Sequence, residues 1–252
     1  MSLFAHADGS VTNYSYNADG IRTGKQYLDA GGGELGTVKY TLDGNKIVAE
    51  QRGNTMLYYL YDDNGSVMGI GCGTSTYTFA KNIQGDVIGI YSGDTLVAKY
   101  AYNAYGVITA ITDANGNDVS GNASHIANIN PFRYRGYYYD TETGFYYLQS
   151  RYYDPVVRRF LNADGILNAG ILSSNLFAYC CNNPIRYLDP CGTCPHDGKV
   201  YPYGNFEGMF QYNPNCPKCA SHGSYTLMGK DGKNTDLETH PNLFLRCHRK
   251  KT

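Results

Sequence analysis

Five glycines recur at a nearly constant spacing: Gly20, Gly44, Gly65, Gly85 and Gly106 stand 24, 21, 20 and 21 residues apart. Each closes a related string. Tyr16-Asn-Ala-Asp-Gly20 is followed by Tyr40-Thr-Leu-Asp-Gly44 and Tyr61-Asp-Asp-Asn-Gly65, then by Phe79 to Gly85 and by Tyr102-Asn-Ala-Tyr-Gly106. A steady period near 20 residues marks a repeat architecture, because one such unit cannot bury an apolar face alone. Alternating aromatics such as Tyr59-Leu-Tyr61 precede the turns, and apolar runs such as Val87-Ile-Gly-Ile90 follow them. Asp-Gly and Asn-Gly at the turn are strong hairpin signals, since glycine accepts the positive φ that the turn requires. The units therefore read as strand, tight turn and strand, paired into an antiparallel hairpin sheet. An ordinary β-sandwich with regular turns is the alternative arrangement of a mainly β chain.

Composition agrees. The 252 residues include 26 Tyr, 9 Phe and no Trp, with 30 Gly for the turns, and tyrosine suits a half-buried pleated surface. This length allows one or two domains with a real core. Net charge is -1, so the whole chain is not built to grip nucleic acid. From Cys191 onward eight Lys/Arg face five Asp/Glu, which makes a mildly basic tail on a mildly acidic body. No apolar run approaches the roughly 20 residues of a membrane span. The first residues lack the basic and apolar regions of a signal peptide.

Asp113 to Asn130 is polar and rich in Gly and Asn, and reads as a long loop. A dense aromatic block follows, whose alternating tyrosines read as core packing on strands. The run FRYRGYYYDTETGFYYLQSRYYDPVVRRFLNADG, residues 132–165, closely resembles the core segment that closes Rhs and YD-repeat shells. NLFAYCCNNPIRYLDPCG, residues 175–192, resembles the end of that segment, and the upstream repeats resemble YD repeats. The resemblance covers roughly residues 14–192. It implies a fragment of a β-shell, with repeats and a loop over 1–130, the Rhs core segment over 131–193 and a variable C-terminal domain over 194–252, usually a toxin. Such a chain is too short to close a shell by itself, so the remaining N-terminal repeats of a longer parent become its first partner. The family also implies a secreted or cell-surface bacterial effector and a cognate immunity protein.

In many family members the core segment is an aspartyl autoprotease. By motif position, Arg151 of RYYD, Asp164 of FLNAD and Asp189 of YLDPCG match its functional Arg and two Asp. Two carboxylates that share a proton can activate water and protonate a carbonyl, and an arginine can stabilise the oxyanion. The family cuts after a DPxGL signature; here that stretch is Asp189-Pro-Cys-Gly-Thr193, with Thr in place of Leu, so the scissile bond is Thr193–Cys194. The bland reading is that both Asp are turn residues.

Five of the eight cysteines lie at or after Cys191, which favours a local metal site or local disulfides. Cys216-Pro-Lys-Cys219, with Cys247 and His248, can supply tetrahedral ligands to zinc. Cys191-Gly-Thr-Cys194 is a weaker second pair, because the cut would separate its members and 21 residues intervene before Cys216. His196, His222 and His240 are further candidates, and free or disulfide-bonded cysteines are the alternative. A domain of about 60 residues has little core, so a metal staple makes physical sense. The repeat body calls for no cofactor. The basic end, Arg246 to Lys251, either contacts phosphates or is a solvated terminus.

The sequence thus reads as a carrier segment of a polymorphic toxin, with aspartyl self-cleavage and a tail whose first reading is a zinc-dependent nuclease. Nucleic acid is a partner only in that case. The alternative is a non-enzymatic surface or structural YD-repeat protein with a degenerate tail.

Overall fold

The alternation of aromatic and polar residues becomes an antiparallel meander of eleven strands in sequence order. These are β1 (Leu3–Ala5), β2 (Val11–Tyr16), β3 (Arg22–Leu28), β4 (Glu34–Asp43), β5 (Lys46–Arg52) and β6 (Thr55–Tyr61), then β7 (Val67–Cys72), β8 (Ser75–Lys81), β9 (Val87–Ser92), β10 (Thr95–Tyr102) and β11 (Ile108–Asp113). The computed structural model describes residues 1–164, 175–189 and 192, and the backbone of two further paired strands, Tyr225–Met228 and Phe244–Cys247. The chain divides into two units, Met1–Asn162 and Ala163–Thr252.

Two kinds of turn join the strands. In the longer kind an Asn or Asp accepts two backbone N–H bonds from residues two and four ahead, and a glycine stands three ahead. Asn103 Oδ1 takes the amides of Tyr105 at 2.9 Å and Val107 at 3.0 Å. Asn17, Asp29, Asp62, Asn82 and Asp113 repeat the pattern. These side chains mimic a backbone turn, which fixes each reversal locally. The shorter kind has two residues with glycine first. Asp43 pairs with Lys46 across Gly44-Asn45, and Gly44 has φ 59°, a conformation that side chains with a Cβ rarely adopt. The sequence expectation of turns at Asp43-Gly44 and Asn64-Gly65 is met.

Strand alternation sends Tyr14, Tyr40, Leu57, Tyr59, Ile70, Ile90 and Tyr100 to one buried face. Met56, Tyr58 and Leu60 of β6 point the other way and are exposed. The aromatic block covers the buried face. It forms a small sheet of β12 (Tyr138–Asp140), β13 (Phe145–Leu148), β14 (Arg151–Asp154) and β15 (Arg159–Phe160). Phe132 meets Tyr59 edge to face at 4.7 Å, and Tyr138 meets Tyr40 in the same way at 5.6 Å. Aromatic pairs in this geometry contribute about 0.5–1.5 kcal/mol beyond area burial.

The stretch from Asp113 to Asn130 is more ordered than the loop its composition suggests. Thr112 bridges to Asp118, and a one-turn helix, α1, spans Ile126–Ile129. The physical reason is capping and burial: His125 Nδ1 accepts the Ala127 amide at 3.2 Å, and Ala127 is buried against the sheet's core cluster.

Candidate functional site

Arg151 begins β14, where Leu148 pairs with it across the hairpin. It is buried, and its guanidinium carbon sits 3.6 Å over the centre of the Phe160 ring. Asp154, at the end of the same strand, caps the next turn: its Oδ1 accepts the amides of Val156 at 2.8 Å and Val157 at 3.2 Å. Within the second unit the Asp164 amide donates to the Leu176 carbonyl at 2.9 Å. Asp189 is buried, and its Oδ1 accepts the Gly192 amide at 2.9 Å. That bond joins two residues of the stretch read as the cleavage signature. Both aspartates of the candidate pair thus belong to one unit, and Arg151 belongs to the other.

Before Asp189 the backbone takes three successive left-handed residues, Cys180, Cys181 and Asn182, at φ 48°, 52° and 60°. Such residues cost about 1–3 kcal/mol each and persist only where surrounding contacts impose them. Cys180 is buried, as expected of a small hydrophobe. Burial pushes the half-buried Cys181 thiol up, and the charge of Asp189 adds to the effect.

Thr193 and Cys194 of the expected scissile bond lie outside the described residues, as do the candidate ligands Cys191, Cys216, Cys219 and His248. Cys247 lies on the last strand, where its backbone pairs with Tyr225. Among the described residues, no three His, Cys, Asp or Glu form a metal-holding group.

Among the described residues, the most highly charged buried site was not legible in the motifs. Register places Lys25 opposite Tyr14 and Arg22 opposite Tyr16 on the covered face of the sheet. Asp140 ends β12, and Glu142 follows it in the turn. Arg22 Nη1 donates to Asp140 Oδ2 at 2.5 Å, and Lys25 Nζ donates to Asp140 Oδ1 at 2.9 Å and to Glu142 Oε1 at 2.7 Å. Arg22 and Asp140 are fully buried. Rings of Tyr14, Tyr40, Tyr138, Tyr147 and Tyr152 surround the guanidinium, the nearest, Tyr147, at 4.3 Å.

Burial alone would raise the Asp140 carboxyl, but the guanidinium of Arg22 and the ammonium of Lys25 offset it and hold it below the ordinary carboxylate range. Burial would lower Lys25, and Asp140 likewise overrides it, so the ammonium sits well above its usual value. Arg22, Lys25 and Asp140 are therefore ionised at rest, two cations on one carboxylate. A neighbouring group repeats the theme: Tyr138 donates to Glu50 Oε2 at 2.6 Å, Glu50 pairs with Arg52, and Arg52 donates to the Ile129 carbonyl at 3.1 Å. Both groups bind the aromatic block to the repeat sheet. A charged residue on the covered face of a strand was the sequence signal for Arg22 and Lys25; their partners, more than a hundred residues away, had none.

No protein-family model matches the chain. It is 34% identical over 189 residues to the tRNA3(Ser)-specific nuclease WapA of Bacillus spizizenii, which is 73% of this chain and 7% of that protein. It is 39% identical over 62 residues to the toxin protein Tse5 of Pseudomonas aeruginosa, 25% of this chain and 5% of the toxin. The chain therefore spans a small part of the length of the curated relatives it matches. Among solved structures, a chain in the crystal structure of TcdB2-TccC3-Cdc42 superposes with a TM-score of 0.56 and 20% identity, over 76% of this chain and 10% of that one. That likeness is one of fold: an open antiparallel sheet of hairpin repeats.

Proposed function

We propose that the chain is the closing stretch of an Rhs-type toxin carrier, in which the repeat sheet and the aromatic core segment help enclose a C-terminal effector. The observation that carries this reading is the burial of the aromatic block, residues 132–160, on one face of the repeat sheet through the Arg22–Asp140 cluster. A core segment held so firmly suits a wall that must stay closed while its cargo is stored. Similarity to a nuclease and to a toxin supports the effector context.

In this account Asp164 and Asp189 cut the Thr193–Cys194 bond. One carboxylate activates water, the other protonates the scissile carbonyl, and Arg151 stabilises the oxyanion. The Asp189–Gly192 hydrogen bond supports the role, because it fixes one carboxylate a few residues from the cut. The tail is read as the effector, with a nuclease as its first assignment. Zinc would be held by Cys216, Cys219 and either Cys247 or His248, with Cys191 and Cys194 as weaker ligands, and would brace a domain with little core. An immunity protein and the preceding repeats are the expected partners. Expression of the full-length parent tests the reading. The wild type should separate into a large and a small fragment, whereas Asp164→Asn and Asp189→Asn should each leave one chain with its repeats folded. A wild type that stays whole would favour the non-enzymatic surface protein.

A further inference from the structure

We propose that Lys25 and Asp140 condense into an intramolecular isopeptide bond, with Glu142 as the proton carrier. Four features of the site carry the proposal. Lys25 Nζ lies 2.9 Å from an oxygen of the Asp140 carboxylate, so the amine and the carboxyl carbon are already neighbours. Glu142 Oε1 lies 2.7 Å from the same nitrogen, and its Oε2 is buried with no hydrogen-bond partner, which leaves a lone pair to take a proton. Arg22 Nη1 holds the second Asp140 oxygen at 2.5 Å. Tyrosine rings crowd the Arg22 guanidinium and Asp140 is fully buried, which slows hydrolysis of an amide at that carbon.

The step begins from the ionised pair. Glu142 takes one ammonium proton from Lys25 and relays it to an Asp140 oxygen, which turns the ion pair into a nucleophilic amine and a carboxylic acid. The nitrogen attacks Cγ of Asp140, and Arg22 stabilises the negative charge that builds on the remaining carboxyl oxygen. The protonated oxygen departs and takes a second proton from the nitrogen through Glu142, which completes a water molecule. A C–N bond forms and a C–O bond breaks. Two of the three ammonium protons and one carboxylate oxygen leave as water, Glu142 ends in its starting state, and nothing is oxidised or reduced. Holding the groups in contact supplies much of the barrier lowering that an activated acyl group would otherwise provide. Lys25 also lines a cleft of about 360 Å³ with Tyr27, Arg52, Tyr138 and Thr141, which gives the water a way out.

The product would tie β3 covalently to the end of β12, two positions 115 residues apart in sequence. It would fasten the aromatic block to the sheet independently of whether the chain cuts itself.

Intact-mass measurement of the purified folded chain tests the bond. The expected result is a mass lower by one water, a digest containing a branched peptide that joins Lys25 to Asp140, and faster migration on a denaturing gel. Lys25→Arg keeps the charge and Glu142→Gln keeps the shape; each should restore the full mass while the sheet still forms. A folded wild type of full calculated mass would show a salt bridge only and overturn the proposal. So would a lost water that survives in both variants or maps to an Asp-Gly turn, where cyclisation gives the same mass without a branched peptide.

Discussion

The hydroxyl of Tyr146 donates to the backbone carbonyl of Gly106 at 2.8 Å, across 40 residues of sequence. It does not act alone. Tyr134 reaches the carbonyl of Ala104 and Tyr153 that of Tyr105, each also at 2.8 Å. Three successive carbonyls of the turn between β10 and β11 thus receive tyrosines of the aromatic block. Gly106 is there because nothing larger fits: a Cβ would stand 2.5 Å from Cδ1 of Tyr134, at a φ of 88°.

Tyr146→Phe should therefore leave the fold intact and cost about 1–3 kcal/mol, the penalty for a buried carbonyl without its donor. Gly106→Ala should cost more, because the clash with the Tyr134 ring adds to backbone strain. Urea denaturation followed by circular dichroism orders the two; equal stability of both variants and the wild type would contradict the packing described.

Arg22→Met should be among the most destabilising substitutions, at about 3–5 kcal/mol, because it leaves the buried Asp140 short of one of its two cations and removes the centre of the tyrosine cage. Thermal unfolding of the variant checks it. A change below about 1 kcal/mol, the scale of an exposed pair, would mean that the cluster is hydrated.

The repeat sheet was legible because its instructions are local. Asn103 and Gly106 lie within one turn, and alternation around Tyr59 states which side chains face inward. The Arg22 cluster was not legible, because alternation assigns a face and is silent on what covers it; Asp140 stands 118 residues from Arg22. α1 was missed because His125 and Ala127 are unremarkable in a polar stretch until Ala127 is buried. Asp164, Asp189 and Arg151 came from the resemblance of whole motifs, since spacing could not single them out from 22 acidic residues. The Asp189–Gly192 bond, by contrast, is local, between residues three apart in sequence.

Alkaline titration should reveal the tyrosine core. Burial pushes Tyr147 up to about 12, with the Arg22 backbone amide and guanidinium pulling it partly back. The folded value exceeds the ordinary 10.0, so the neutral phenol contributes stability that is fully present below about pH 10 and is lost as pH rises through about 12. Tyrosinate absorbance should lag in the folded chain and rise together with loss of the β-sheet signal. Ionisation of Tyr147 near the ordinary value in a chain that stays folded would contradict its burial.

Metal content reports on the tail. One zinc per chain, lost on Cys216→Ala together with part of the thermal stability, is the expected result. Metal-free wild type with unchanged stability would assign those cysteines to free thiols or disulfides.

The most direct test of the carrier account is the N-terminal residue of the small fragment released by the full-length parent. The account predicts a fragment that begins at Cys194 and disappears in Asp189→Asn. A fragment with any other first residue, or one that persists in Asp189→Asn, would contradict cleavage by this site.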